Sequence, residues 1–423
     1  MPTITKALPM IRSAMVSAGL LTALFCTSFA TAQEFFFKPN DRIMFLGDSI
    51  TEQYQYSTDI ELYLTTRFPE WNLTFLNAGI GGDTAAGGAN RFASHVLAEQ
   101  PTCITINFGM NDGGYGAFDP NRHKPYVENT TKMLQAAKAA GVRVALISPN
   151  AVDRRVNEKF KLYLETQKEF YAPLKDLAAA NGTAFADQYA VTRAVLEKLE
   201  ADKADKLLPF PDGVHTATNG GMLMAHTILT ALNAPAMVSQ ANVDFAAGTV
   251  AGENCTVGSF TKPAPDAKGF SFQRTDKALP LPIQGDWIAL LPYMNDLKDL
   301  NWYGLKVTGL EAGNYTLSID GVDLAQFSAE ALAKGVNVGN IARGPVFDQS
   351  QKAFQLINQK NGLLHQRFRG VVMFNVPDWL ADVGNERKAQ ELKKRMDLIQ
   401  QKQAEIYTAV KPVARKFTLT KIN

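Results

Sequence analysis

Four short stretches of the chain carry residue types that can catalyse acyl transfer. An acyl-transfer site needs a nucleophile, a base that takes its proton, a group that orients the base, and hydrogen-bond donors for the oxyanion. Ser49 can serve as the nucleophile and His215 as its base, and Asp212 is close enough in sequence to orient the imidazole from a tight turn. The four stretches are Gly47-Asp48-Ser49, Asn77-Ala78-Gly79-Ile80-Gly81-Gly82-Asp83-Thr84, Gly109-Met110-Asn111-Asp112 and Asp212-Gly213-Val214-His215.

The choice of His215 as the base rests on the surroundings of the chain's five histidines. His95 and His226 lie in helical patterns, where a histidine usually belongs to the surface or the core. His123 lies in a polar loop, and His365 lies in the C-terminal region. His215 lies in a turn, between an acidic residue and the start of a helix. It is therefore the predicted base.

Three groups are candidate oxyanion donors: the backbone N–H of Ser49, the backbone N–H of Gly82 and the side-chain amide of Asn111. Each follows a predicted strand, and glycine at position 82 would let the backbone approach a substrate closely. Each also has an ordinary structural explanation. Ser49 could cap the following helix, the glycines could form a plain loop, and Asn111 could form a turn.

The elements around these stretches favour a common location for them. Between residues 42 and 232, short apolar runs alternate with longer amphipathic segments, which predicts an α/β fold with a mainly parallel sheet covered on both faces. Sites in such sheets lie at the carboxyl ends of the strands. The predicted strands are Ile43–Leu46, Leu73–Asn77, Cys103–Phe108, Arg143–Ile147 and Thr183–Ala186. The predicted helices are Asp59–Phe68, Ala89–Glu99, Pro125–Ala140, Arg155–Asn181 and Asn219–Leu232.

The order and spacing of the four stretches resemble the SGNH (GDSL-type) hydrolases, a family of esterases, lipases, thioesterases and carbohydrate esterases. The resemblance covers about residues 40–235. It implies a flavodoxin-like α/β/α sandwich. It also implies that Ser49 is the nucleophile and first oxyanion donor, that Gly82 and Asn111 are the other donors, and that Asp212 and His215 complete the triad. The Gly-x-Ser-x-Gly motif of the other large serine-esterase class is absent after residue 32.

The composition of the chain limits the class of protein and the partners that we expect. The 423-residue chain has 46% hydrophobic and 20% charged residues, which are globular values, and its length suggests more than one domain. The formal net charge of +2 gives no electrostatic reason to expect a nucleic-acid partner. No cluster of cysteine and histidine has metal-site spacing, so we expect neither a metal nor a cofactor. Cys103 and Cys255 are predicted to be unpaired thiols, although an oxidising compartment would permit a disulfide.

Residues 1–32 have the pattern of a secretory signal peptide. Lys6 and Arg12 precede an apolar stretch that ends in Ala30-Thr31-Ala32, which predicts cleavage after Ala32. A membrane anchor is the alternative interpretation, but polar residues interrupt the apolar run. We therefore expect a secreted or periplasmic protein with no stable membrane insertion after cleavage.

The chain after the α/β domain, which we assign to residues 33–240, changes character twice. Residues 241–345 predict a β-rich unit, with strands at Trp302–Val307 and Asn314–Ile319 and a hairpin turn at Asp320-Gly321. Residues 346–423 are predicted to be helical over Gln349–Asn361 and Glu386–Val410.

These features predict a serine esterase that acts on a small-molecule or polysaccharide ester, with removal of acetyl groups from carbohydrate as the first choice. Tyr54, Tyr56 and Tyr115 could stack on sugar rings, although ordinary core packing explains each of them equally well. The alternatives are a lipase or thioesterase, an acyl transferase with the same residues, and a non-catalytic carbohydrate-binding protein. The last would use a platform of Trp287, Trp302 and Tyr303, which more often fill a core. The sequence indicates no particular oligomeric state.

Overall fold

A five-stranded parallel sheet forms the centre of the first domain in the computed structural model, which describes residues 1–3, 34–261 and 269–422. The strand order is β2-β1-β3-β4-β5, the flavodoxin-like order, as expected. The predicted signal peptide lies outside the described residues, apart from its first three. The strands are β1 (Arg42–Gly47), β2 (Thr74–Gly79), β3 (Cys103–Asn107), β4 (Arg143–Ile147) and β5 (Ala184–Ala186).

Eight helices accompany this sheet, and several of them differ from the prediction. The predicted helix over residues 155–181 is two helices, because Pro173 has no N–H to continue the first. The predicted helix over residues 89–99 begins earlier and continues as a π-helical turn and a 3₁₀ turn. The helices over Ser49–Glu52 and Gln188–Ala201 were not predicted, and the helices predicted to begin at residues 59 and 125 begin at residues 55 and 120. The helices are α1 (Ser49–Glu52), α2 (Gln55–Arg67), α3 (Ala85–Asn90), α4 (Pro120–Ala139), α5 (Lys159–Tyr171), α6 (Leu174–Asn181), α7 (Gln188–Ala201) and α8 (Thr218–Ala231).

Two glycines let the short helix α1 pack against the carboxyl ends of β1 and β2. A Cβ atom on Gly47 would overlap the Thr51 hydroxyl and lie 2.6 Å from the Asn107 carbonyl oxygen. A Cβ atom on Gly79 would overlap the backbone of Glu52. Such contacts are shorter than any real Cβ tolerates, so larger side chains would push α1 away from the sheet. The glycines therefore fix the position of Ser49, the first residue of α1.

The β-rich region forms two further sheets that share one apolar core. Their orders are β13-β10-β6-β7 and β12-β11-β14-β9-β8. The predicted hairpin is confirmed: β11 and β12 pair antiparallel around Asp320 and Gly321, both with positive φ. The strands are β6 (Met237–Asp244), β7 (Thr249–Glu253), β8 (Cys255–Thr261), β9 (Gly269–Asp276), β10 (Trp302–Thr308), β11 (Asn314–Ile319), β12 (Val322–Ser328), β13 (Val336–Asn337) and β14 (Ala414–Lys421).

The C-terminal region is helical, as predicted, except at its end. After α9 (Ala329–Lys334), it contains α10 (Pro345–Arg367) and α11 (Ala381–Ala409). The prediction of a helical region that extends to residue 423 is wrong, because β14 pairs with both β9 and β11. Phe417 and Leu419 are two residues apart on β14 and therefore lie on the same face of the strand. Both side chains pack in the core shared by the two sheets. β14 is therefore part of the β-rich unit.

Helix α10 packs on α2 of the α/β domain through buried polar contacts. The Lys360 ammonium pairs with the Glu61 carboxylate, and both side chains are almost completely buried. Asn361 Nδ2 donates to Thr58 Oγ1 at 2.9 Å. The C-terminal helices are therefore packed against the domain that carries Ser49.

Two further sequence-based expectations concern the whole chain. Cys103 and Cys255 are both free, in agreement with the prediction of unpaired thiols. Within the described residues, no helix is both long enough and apolar enough to cross a membrane.

Candidate active site

Ser49 and His215 are in hydrogen-bond contact. The Ser49 Oγ lies 2.8 Å from His215 Nε2. The alternative that Ser49 only caps the following helix is excluded, because the N-cap of α1 is Asp48. The Asp48 carboxylate accepts a hydrogen bond from the Ile50 N–H at 3.0 Å. The hydroxyl of Ser49 is thus available for chemistry.

Asp212 holds the other side of the imidazole. Its Oδ2 lies 2.7 Å from His215 Nδ1, and its Oδ1 accepts the backbone N–H groups of Val214 and His215 at 2.8 and 2.7 Å. Partial burial alone would raise the pKa of Asp212, but these hydrogen bonds from His215 and Val214 outweigh it and hold the pKa below its ordinary value. Gly213 makes this turn possible, with φ of +88°. Asp212 thus remains ionised and fixes a tautomer of His215 whose Nε2 can accept the Ser49 proton.

Gly82 and Asn111 lie on two segments that hydrogen bonds connect to each other and to α1. Gly82 is exposed in the turn that follows β2, between Gly81 and Asp83. The Gly81 N–H donates to Glu52 Oε2 at 2.5 Å, which ties the turn to the helix of Ser49. Asn111 Nδ2 donates to the Asp83 carbonyl at 2.9 Å, which ties the segment after β3 to the same turn. The predicted oxyanion donors therefore belong to one connected edge of the sheet.

The site opens to solvent as a wide cleft. Its lining comes from α1 and from the segment before α8, and it consists of Ser49, Glu52, Gln53, Pro211, Asp212, His215 and Thr216. Thr216 Oγ1 donates to Gln53 Oε1 at 3.3 Å, which links the two walls. Ser49 and His215 both face this cleft. No group of three or more histidine, cysteine, aspartate or glutamate side chains could hold a metal ion in the part of the chain that the structure describes.

Three carboxylates lie close together beneath the site. Burial raises the pKa of Asp48 to about 7, with smaller raising effects from Asp112 and Asp83 and a lowering effect from its Ile50 hydrogen bond. Burial also raises the pKa of Asp112 to about 6. Asp83 is ion-paired with Arg91 at 2.8 Å. The fold thus disfavours the ionised form of Asp48 and, less strongly, that of Asp112.

Asp48 should therefore make the protein less stable as the pH rises. Because its folded-state pKa lies above the ordinary value of 3.8, the stability is fully present below about pH 4 and is lost as the pH rises through about 7. The Asp48→Asn variant keeps an acceptor for the Ile50 N–H. Between pH 4.5 and 8, we expect its melting temperature to fall less than that of the wild type. As the pH rises, the wild type should lose at most about 4 kcal/mol more free energy of unfolding than the variant. Parallel pH-dependent melting curves for the two proteins would contradict this assignment.

The structure does not support a sugar-stacking role for Tyr56 or a carbohydrate platform in the β-rich unit. Tyr56 is fully buried and its hydroxyl contacts Thr51 Oγ1 at 2.8 Å. Trp287 and Tyr303 are each only 1% exposed, so the favoured interpretation as core residues is confirmed. Tyr115 lies beside the site instead, and its hydroxyl donates to Asn111 Oδ1 at 3.2 Å.

Sequence reasoning missed two charged residues of this edge. Glu52 lines the cleft, and its position on the helix of Ser49 was the available signal. Arg369 lies on the π-helical turn after α10, and its Nε is 3.1 Å from Glu52 Oε1. No local pattern connects residues so far apart in sequence.

Comparisons with known proteins relate this chain to acyl hydrolases and esterases. Residues 45–220 match the model of the GDSL-like Lipase/Acylhydrolase family. Thioesterase 1/protease 1/lysophospholipase L1 of Escherichia coli (strain K12) is 29% identical over 137 residues, which are 32% of this chain and 65% of that protein. Acetylxylan esterase of Geobacillus stearothermophilus is 22% identical over 215 residues, or 45% of this chain and 92% of that protein.

A solved structure matches nearly the whole chain. It is a gut microbial diltiazem-metabolizing enzyme with 27% identity and a TM-score of 0.79, and the match covers 92% of this chain and 99% of that one. The similarity extends past the sheet domain, so the β-rich unit and the C-terminal helices belong to a shared architecture.

Proposed function

We propose that the chain, whose residues 45–220 match the model of the GDSL-like Lipase/Acylhydrolase family, the SGNH hydrolases, is a serine esterase that removes short acyl groups, above all acetyl, from carbohydrate. The observation that carries the proposal is the continuous hydrogen-bonded series Ser49–His215–Asp212 in an open cleft. A nucleophile, a base and an orienting carboxylate in that order are what ester hydrolysis requires.

The reaction follows from this geometry. His215 Nε2 takes the proton of Ser49 Oγ as that oxygen attacks the ester carbonyl carbon. The N–H groups of Ser49 and Gly82 and the amide of Asn111 stabilise the negative charge on the tetrahedral intermediate. The intermediate expels the alcohol, which takes the proton from His215, and leaves an acyl group on Ser49. A water molecule, deprotonated by His215, then releases the acid by the same two steps.

The openness of the cleft supports a short acyl group. Among the lining residues, all of which lie in the described part of the chain, Pro211 is the one apolar side chain. A long acyl chain gains about 0.8 kcal/mol for each methylene that it buries, and a cleft this open to solvent buries few of them. The relative that is named an acetylxylan esterase agrees with an acetylated polysaccharide substrate. The signal-like residues 1–32 support export to the compartment where such substrates occur.

A substrate panel tests this proposal. We expect the kcat/KM for p-nitrophenyl esters to be highest for acetate and to fall as the acyl chain grows from two to twelve carbons. Acetylated xylan and other acetylated glycans should release acetate. Diltiazem, the compound in the name of the matched gut microbial enzyme, is a test substrate that is not a carbohydrate. A steep preference for long chains or for acyl thioesters would instead assign the protein to lipid-type acyl esters, and a lack of hydrolysis of every ester would overturn the proposed function.

A further inference from the structure

We propose that Glu52 and Arg369 are positioning residues of this site, and that the C-terminal helical region thereby sets the geometry of the oxyanion hole. The inference deepens the proposed esterase function and rests on it. Neither residue contacts the reacting atoms. Glu52 holds the turn that presents the Gly82 N–H, and Arg369 holds and neutralises Glu52.

The turn after β2 is fixed on both sides of Gly82. The Asp83 N–H donates to the Ile80 carbonyl at 3.1 Å, which closes a four-residue turn with Gly82 at its third position. The φ of +74° at Gly82 matches the glycine-favouring third position of a type II turn. In such turns the middle peptide unit, which carries the Gly82 N–H, can rotate while the ends stay in place. The orientation of this N–H therefore depends on its neighbours.

Glu52 restrains the first peptide unit of this turn, between Ile80 and Gly81, next to the unit that carries the Gly82 N–H. Its Oε2 accepts the Gly81 N–H at 2.5 Å, a charge-assisted hydrogen bond of the strong type. Because Glu52 lies on the same short helix as Ser49, it ties the position of the turn to the position of the nucleophile. Two oxyanion donors, the N–H groups of Ser49 and Gly82, are thus held in register by one side chain.

The negative charge of Glu52 also affects catalysis. Glu52 lines the same cleft as Ser49, where negative charge develops on the substrate oxygen, and an unpaired carboxylate would oppose that charge. Arg369 offsets it, with its Nε 3.1 Å from Glu52 Oε1 and side chains that are 41% and 20% exposed. The ion pair therefore supplies the anchoring hydrogen bond without an uncompensated negative charge.

Buried contacts place Arg369 at the site. It follows α10, which is fixed to α2 by the Lys360–Glu61 ion pair and by the Asn361–Thr58 hydrogen bond. At the end of α10, Arg367 Nη1 pairs with Glu99 Oε1 at 2.8 Å. These contacts are far more buried than the Arg369–Glu52 pair. The C-terminal region can therefore stay docked when Arg369 is replaced.

The Arg369→Ala variant is the first test. We expect its kcat for p-nitrophenyl acetate to fall about tenfold, less than the 10²–10³ that follows loss of an oxyanion donor itself, with little change in KM. The Arg369→Lys variant keeps the charge and should recover most of the kcat. The matched control is Arg387→Ala, which removes another partly exposed ion pair of the C-terminal helices, with Glu391, and should leave kcat unchanged. Partly exposed ion pairs contribute little to stability, so the melting temperatures of the variants should stay close to that of the wild type.

A double variant separates positioning from a merely structural role. Glutamine at position 52 keeps an acceptor for the Gly81 N–H but carries no charge. Glu52→Gln combined with Arg369→Ala should therefore have a higher kcat than Arg369→Ala alone. Equal activity of Arg369→Ala and the Arg387→Ala control, a change confined to KM, or strictly multiplicative losses in the double variant would overturn the inference. Hydrolysis that survives in the Ser49→Ala variant would overturn the proposed function instead, so the two failures are distinguishable.

Discussion

The Ser49→Ala variant is expected to lose ester hydrolysis by roughly 10⁴- to 10⁶-fold in kcat, the range seen when the nucleophile of a serine hydrolase is removed. The hydroxyl is 2.8 Å from His215 Nε2, so it is the atom that the base can activate. Without it no acyl-enzyme can form, and only direct attack by water remains. Initial rates with p-nitrophenyl acetate, together with mass spectrometry after treatment with an organophosphonate, measure both the loss of rate and the loss of covalent labelling.

The same substitution should leave the fold intact. Ser49 is partly exposed, and the cap of α1 is supplied by Asp48 rather than by Ser49. The free energy of unfolding should therefore change by no more than about 0.5 kcal/mol, as for other substitutions away from the core. Ser94→Ala, at an exposed serine in the same domain, is the control and should retain full activity and labelling at Ser49. Wild-type rates in the Ser49→Ala variant would remove the assignment of the nucleophile.

The sheet and the triad could be predicted because their signals are local. The strand prediction for Arg143–Ile147 matches the structure at both ends, and the other four strands of the sheet differ by one or two residues at an end. Each predicted site residue follows a strand or a turn, and parallel strands bring those ends to one edge. Asp212 and His215 meet within one turn, a contact that sequence spacing alone suggests.

Other features depend on contacts that no local pattern records. The last strand, Ala414–Lys421, follows a long charged helix, and its pairing with β9 and β11 decides its conformation. Tyr56 looked available for a sugar because the sequence does not specify which side of α2 faces α1 and the sheet. The Glu52–Arg369 pair joins the first helix of the sheet domain to the end of α10, and only the packing of α10 on α2 brings the two together.

Replacement of Asn111 is expected to have the second large effect on kcat. Its Nδ2 donates one hydrogen to the Asp83 carbonyl at 2.9 Å, and its Oδ1 accepts from the Tyr115 hydroxyl at 3.2 Å. These two hydrogen bonds determine the orientation of the Asn111 side-chain amide. The second hydrogen of Nδ2 is not used in either of them and can be donated to the oxyanion. The Asn111→Ala variant should therefore lose about 10²–10³ in kcat with a much smaller change in KM, because the donor acts on the charge that develops in the transition state. Steady-state kinetics with p-nitrophenyl acetate measure both constants.

Tyr115→Phe provides the matched control for this role. It removes the hydroxyl that contacts Asn111 Oδ1 but leaves the amide and its bond to Asp83 in place, so its kcat should fall far less than that of Asn111→Ala. If both variants lose the same activity, Asn111 acts only as a structural link between the segments after β2 and β3. If Asn111→Ala raises KM and leaves kcat unchanged, its amide binds the substrate ground state. Only a loss in kcat confined to Asn111→Ala is consistent with a donor whose hydrogen bond strengthens as the carbonyl oxygen becomes an anion.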